Sequence, residues 1–254
     1  MPPSTEEIQL SVLLVDDQES FLEQEKLYLE RFKGKYEIDT VQNPKKAVEK
    51  IENNKYEVIV SDYEMPEING LDLLEEVKTD KNSPAFIMFT GKGREEVAME
   101  ALNLGADRYL KKGGDPQAQF NVLSEAIEQE GYHKILEEEI MLHTKRYEEL
   151  FNEIPVAIAR VGPDVKVKEV NPQFQELFGY KEEEILEKDL DDHIVPESRQ
   201  ETALKYTKKC LNGERINSKA LRETKTGEKK EVELVGIPVE VGGLEEIHGI
   251  YKKV

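Results

Sequence analysis

Val58-Ile59-Val60-Ser61-Asp62-Tyr63-Glu64-Met65-Pro66 decides how this chain is read. Val58, Ile59 and Val60 form a β-branched run, the texture of a strand buried on both faces of a parallel sheet. The run stops at an aspartate. In open α/β sheets ligands bind outside the carboxyl ends of the strands, and Asp62 falls at such an end. Asp62 is therefore a candidate phosphoryl acceptor. One aspartate after a strand is weak by itself, so its partners must come from other strand ends.

Upstream, residues 11–16 are a second apolar run that closes on acid, with Asp16 and Asp17 at its end. Glu19 to Phe32 reads as an amphipathic helix with Phe21, Leu22, Leu29 and Phe32 as its stripe, ended by Gly34. Tyr36 to Val41 is a strand, and Asn43-Pro44 caps the next helix, which buries Ala47, Val48 and Ile51. Downstream of Asp62 come a helix around Leu71, Leu74 and Val77 and a strand over 85–90 that ends in Thr90. A helix through Val97, Ala101 and Leu104 and a strand over 106–110 follow, and Lys111 and Lys112 come next. Strand and helix alternate five times with short connections. That pattern predicts a doubly wound five-stranded parallel sheet with helices on both faces. Asp16, Asp17, Asp62, Thr90 and Lys112 should then meet at one edge.

Their chemistry is coherent. Three carboxylates in one cleft repel and invite a divalent cation. Mg²⁺ suits oxygen ligands and keeps waters and a substrate phosphate in its shell. A lysine supplies a point charge for a phosphoryl oxygen, and a threonine hydroxyl supplies a hydrogen bond. Phosphoryl transfer needs little beyond such positioning and electrostatics. An Asp-Asp pair after a strand is often only a solvated turn. The weight rests on all five residues, each at its own strand end and in order.

Leu13-Leu14-Val15-Asp16-Asp17, Ser61 to Pro66, Phe89-Thr90-Gly91 and Gly105 to Lys112 together resemble the response-regulator receiver domain, over roughly residues 9–130. The resemblance implies that Asp62 takes phosphate from a histidine kinase or phosphotransfer protein. It implies that Asp17 and Asp62 ligate Mg²⁺, with Asp16 acting through water and the Glu64 carbonyl completing the protein ligands. It makes Thr90 and Tyr109 the switch pair and Lys112, not Lys111, the phosphate lysine. Such a domain catalyses only its own phosphorylation and dephosphorylation. Gly113 stands where the family usually has proline, so this loop must hold Lys112 by other means. Glu64 and Lys92 flank the expected water path; either they pair and lengthen the phosphate lifetime, or they ignore each other in solvent.

Asp115-Pro116 starts a helix that nothing stops before Pro155. Val122, Ala126, Gln129, His133, Leu136, Ile140, His143, Tyr147, Leu150 and Ile154 repeat at spacings of 4 and 3, a heptad seam. At 1.5 Å per residue the helix would run roughly 50 Å, and a parallel coiled-coil homodimer would cover the seam. Gln129, Gly131 and His133 interrupt the apolar pattern, as a hinge or a register-setting device. Neither His133 nor His143 lies in a kinase phosphoacceptor context.

Beyond Pro155 the texture changes to short strands and turns. Residues 156–161 and 165–170 flank Gly162-Pro163-Asp164 as a hairpin. Asn171-Pro172 caps a short helix ended by Gly179, a longer helix runs from Pro196 to Leu211, and strands follow near 216–224, 228–239 and 245–253. Val170 to Tyr180, with Glu182-Glu183-Glu184-Ile185-Leu186, resembles the PAS domain family over about residues 147–254. That implies an α+β module with a five-stranded antiparallel sheet, for sensing or dimerisation. Cys210 is not in a flavin-linked context, and His193 reads as a solvated or capping histidine and not as a haem ligand. The leading expectation is a ligand-free interaction module, with any PAS ligand unknown.

The expected organisation is a tail at 1–8, a receiver at 9–130, a coiled-coil connector at 131–150 and a PAS domain at 151–254. A length of 254 residues suits two domains. No apolar run approaches the roughly 18 residues of a membrane span. One cysteine rules out an internal disulfide. A net charge of −19 disfavours DNA and anionic lipid. The expected setting is cytoplasmic, without nucleic-acid or membrane partners. The expected role is phosphorelay signalling through the connector to the PAS module. The alternative is the front of a hybrid sensor histidine kinase whose kinase domain lies beyond Val254. A scaffold with a degenerate receiver is disfavoured by the complete acidic set.

Overall fold

The computed structural model describes residues 8–79, 82–91 and 95–254. Residues 1–7 of the expected tail, and Lys92, lie outside the described residues. The chain divides into two compact units, Met1–Leu142 and His143–Val254. Each is described by itself.

The first unit alternates β1 (Leu10–Val15), α1 (Glu19–Leu29), β2 (Tyr36–Val41), α2 (Pro44–Asn53), β3 (Val58–Ser61), α3 (Gly70–Val77), β4 (Ala85–Thr90), α4 (Glu95–Asn103), β5 (Arg108–Lys111) and the start of α5 (Pro116–Glu153). All strands are parallel, in the order β2-β1-β3-β4-β5. Successive side chains of a strand point to opposite faces, and here both faces are apolar. Leu10, Val12 and Leu14, with Val58, Val60 and Ile87, pack under α1 and α5. Leu13, Ile59, Phe86 and Met88 pack under α2, α3 and α4. This two-sided burial is why β1, β3 and β4 read as continuous apolar runs. β5 starts at Arg108 and not at Ala106, because Asp107 folds back to accept from the Phe86 amide at 2.7 Å.

The face of α5 that packs on this unit is not the heptad seam. Phe120, Leu123 and Ile127 are buried against the sheet, with Tyr132 and Ile135 partly so. Gly131 is buried too, and a Cβ there would come within 2.8 Å of Leu10 Cδ1 and 3.1 Å of Val58 Cγ2. The glycine is thus a close-packing position. Of the expected seam residues only Ala126 is buried; Val122, Leu136, Ile140 and Leu150 are exposed.

The second unit contains the end of α5, then β6 (Ala157–Val161), β7 (Val167–Val170), α6 (Pro172–Phe178), α7 (Glu182–Ile185), α8 (Asp191–Ile194), a 3₁₀ turn (Glu197–Arg199), α9 (Gln200–Leu211), β8 (Ile216–Glu223), β9 (Lys229–Val241) and β10 (Leu244–Lys253). The sheet is antiparallel, in the order β7-β6-β10-β9-β8. The 3₁₀ turn stands where the longer helix was expected to begin, so α9 starts at Gln200. Asn171 does more than cap α6. Fully buried, it accepts from the amides of Phe174 (3.0 Å) and Ile158 (2.8 Å) and donates to the carbonyls of Phe151 (3.1 Å) and Val156 (2.8 Å). One side chain so ties the end of α5 to β6 and α6.

Candidate functional site

The carboxyl ends of β1, β3, β4 and β5 border one cleft of 440 Å³. Asp17, Asp62, Glu64, Thr90 and Lys112 line it, with Gln18 and Phe21 from the start of α1. Asp16 is buried below, at 1% exposure, and Asp62 is nearly so. Backbone hydrogen bonds set these positions. Asp16 N donates to Val41 O at 3.2 Å, Asp62 N to Val15 O at 2.9 Å and Lys112 N to Thr90 O at 2.8 Å. Asp16, Asp62 and Lys112 are therefore each held one step past their strand by the strand beside it.

Lys112 Nζ pairs closely with Asp16 and lies 3.4 Å from Asp62 Oδ1. It also sits 4.2 Å over the Phe21 ring, which shields it from water. Gly113 and Gly114, with φ of 129° and 84°, carry the chain away from Lys112 in a conformation few other residues adopt. The Gly113 amide donates to Gln119 Oε1 at 2.8 Å. This glycine turn takes the place of the proline usual in the family. Burial pushes the Asp62 carboxyl above its ordinary range; Lys112 pulls it back, and Asp16 pushes it further up. The Thr90 hydroxyl bonds the Asp62 carboxylate. Tyr109 packs half-buried against the α3–α4 side of the sheet, and its buried hydroxyl has no hydrogen-bond partner among the described residues.

Carboxylate oxygens of Asp16, Asp17 and Asp62 lie within 4.8 Å of one another. Three carboxylates this close form an oxygen-donor set of the kind that suits Mg²⁺. Among the described residues Asp62 Oδ1 makes no hydrogen bond, its contact being the Lys112 ammonium at 3.4 Å.

A family model for the response regulator receiver domain matches residues 12–128, and one for the PAS fold matches residues 145–250. The chain carries a response regulator receiver domain followed by a PAS domain. Over 106 residues the receiver is 36% identical to the response regulator SaeR of Staphylococcus aureus, an alignment covering 42% of this chain and 45% of that protein. The chain thus spans less than half the length of the curated relatives it matches. A CheY-like receiver domain protein from Methanospirillum hungatei is 28% identical, with 50% of this chain and 99% of that chain covered and a TM-score of 0.44. The PAS domain of an HTR-like protein from Haloarcula marismortui is 23% identical, with 48% and 99% covered and a TM-score of 0.40.

The receiver contains one acid that sequence reasoning passed over. Glu25 is 2% exposed on the inner side of α1. Burial raises its pKa to about 8, with Lys112 opposing and Asp16 and Asp62 adding to the rise. The available signal was its place on the Phe21–Leu29 stripe, where an apolar residue belongs. In the PAS domain, His193 Nδ1 lies 2.9 Å from the Asp189 carbonyl and its ring meets Tyr180 edge-on. Among the described residues no helix is long and apolar enough to cross a membrane.

Proposed function

We propose that this protein is a phosphorelay signalling component in which Asp62 accepts a phosphoryl group from a histidine kinase or phosphotransfer protein. The observation that carries this reading is the meeting of Asp16, Asp17 and Asp62 with the Lys112 ammonium in one cleft. An Asp62 oxygen attacks phosphorus in line; the new O–P bond forms as the P–N bond to the donor imidazole breaks, and the imidazole leaves with the electron pair. Asp17, Asp62 and the Glu64 carbonyl would hold Mg²⁺, with Asp16 acting through water, and the bound ion would supply positive charge for the transferring group. Lys112 and Thr90 take phosphoryl oxygens. Thr90 and Tyr109 report the event, the hydroxyl turning to the phosphate and the ring packing inward.

In this reading residues 9–130 are the receiver, 131–150 the connector and 151–254 the PAS module. Two copies pair through the exposed seam of α5, where Leu136, Ile140 and Leu150 are 54%, 66% and 73% exposed. Intact mass after treatment with acetyl phosphate and Mg²⁺ tests the chemistry. Wild type should gain one phosphoryl group and Asp62→Asn none. An equal gain in both would move the acceptor elsewhere, and no gain in wild type, even from a kinase, would leave a scaffold.

A further inference from the structure

In the PAS domain a half-open cavity of 50 Å³ lies between α9 and the inner face of the sheet. A space of that size admits roughly four waters, or one solute of about five or six non-hydrogen atoms. Val161, Leu234 and Ile247 give it apolar walls. Asp191 of α8, Thr207 of α9, Arg222 of β8 and Tyr251 of β10 give it polar ones.

Arg222 is the unusual member. It is 4% exposed. One terminal nitrogen donates to the Leu221 carbonyl at 3.1 Å. The guanidinium lies 5.9 Å from the centre of the Tyr251 ring and bonds its side chain, but its buried Nε has no hydrogen-bond acceptor among the described residues. A guanidinium stays charged at any working pH, and this one keeps an unmet donor beside the cavity. Asp191 feels the Arg222 charge and accepts from the Thr207 hydroxyl at 3.0 Å, without hydrogen-bonding the Arg222 Nε.

The sheet is shaped around the same space. Gly236 of β9 and Gly249 of β10 are register partners, and both line the cavity. Glycine inside a strand weakens it and marks a close approach. A Cβ at these positions would come within 2.8 Å of Cys210 Sγ and 2.9 Å of the Tyr251 hydroxyl. Outside, a cleft of 350 Å³ shares Ala203, Tyr206 and Arg222 with the cavity. Arg199 and Lys219 line it, with Glu231 as its one acid among the described residues. In a chain of net charge −19, this local basic mouth draws in anions.

We propose that the cavity binds a small carboxylate bearing a hydroxyl or amino group, with its carboxylate on Arg222 and its donor toward Asp191. The guanidinium supplies charge-assisted hydrogen bonds. Asp191 accepts from the substituent and repels a second anionic group, which selects against dicarboxylates and phosphate. The apolar walls accommodate a methyl group. None of the residues lining it belongs to the Asp62 cleft.

The test uses the full chain with glycolate, lactate and alanine as probes and lactamide as the neutral control. Thermal unfolding and the arginine Nε–Hε resonances are followed during titration, with the Arg222 signal assigned by its loss in Arg222→Gln. At least one of the three probes should raise the unfolding temperature of the PAS domain and move the Arg222 signal saturably, while lactamide does neither. Arg222→Gln should weaken that binding about tenfold or more. If this variant fails to fold, Arg222→Lys supplies the assignment, and titration of the wild-type signal decides. No saturable movement with any of the three carboxylates, or equal movement with lactamide, overturns the proposal.

Discussion

Glu25 shows how one misplaced polarity reports on its surroundings. Its carboxyl sits among the α1 and sheet side chains, near Asp16 and Asp62, with a pKa lifted from 4.5 to about 8. Below the lower value both folded and unfolded states hold the proton. Between the two the unfolded chain ionises while the folded receiver keeps its proton. The stability tied to Glu25 is therefore complete in acid and drains away as pH rises from 4.5 toward 8. Glu25→Gln keeps the shape and removes the titration. Without Mg²⁺, the variant should match wild type near about pH 5 and be more stable by on the order of 1–3 kcal/mol near pH 8. Urea unfolding at the two pH values measures this, and a pH-independent difference would sink it. At this scale the sequence was legible where chemistry sits at strand ends. Asp16, Asp17, Asp62, Thr90 and Lys112 each follow a readable apolar run, so their meeting follows from topology. Glu25 and Phe21 were not, because a helix stripe is read from its apolar members and says nothing about what their side chains lean on. Arg222 was hidden for a related reason. On a half-buried strand, an inward arginine looks like any outward one until the register is known.

Element by element, local signals predicted the existence of helices and strands better than their faces. The caps at Asn43 and Asn171 are made as their sequences imply. α7 and α8 span four residues each, too few for a helical period to be read. α5 is the instructive case. Its sequence carries a heptad spacing, but the face packed on the receiver runs through Phe120, Leu123, Ile127, Gly131 and Lys134. Glycine and lysine disguise that stripe. Propensity alone says that alanine at position 131 should strengthen the helix by about 1 kcal/mol. Packing says the opposite, since the added methyl meets Leu10 and Val58, both fully buried. Overpacking of this kind costs about 1–3 kcal/mol. Gly131→Ala should therefore destabilise the receiver by a net of roughly 1 kcal/mol, read as a lower denaturation midpoint with an unchanged slope. A higher midpoint would mean that α5 lifts off the sheet freely and that the glycine has no packing role.

For the whole molecule, two opposing forces would govern pairing through the α5 seam. Each copy carries a net charge of −19, so two copies repel at long range. The exposed seam of α5 offers Leu136, Ile140 and Leu150 for burial, an attraction that salt does not screen. Raising ionic strength shortens the reach of the repulsion, from about 30 Å at 0.01 M to about 8 Å at 0.15 M, and leaves the apolar contact in place. Dimerisation through the seam should therefore tighten with sodium chloride, whereas a dimer held by surface ion pairs would loosen. Sedimentation equilibrium of the full chain across that range separates the two. Leu136→Glu with Ile140→Glu adds like charges to the seam and should leave a monomer at every salt concentration. Both positions are exposed, so the receiver core is untouched, and phosphorylation of Asp62 by acetyl phosphate should proceed as in wild type. A dimer that survives this double substitution, or that weakens as salt rises, would place the contact on another surface and leave α5 as a connector only. If the seam does pair the copies, any effect of Asp62 phosphorylation on dimer affinity must be matched by dimerisation favouring the phosphorylated state by the same factor, because binding equilibria are coupled reciprocally.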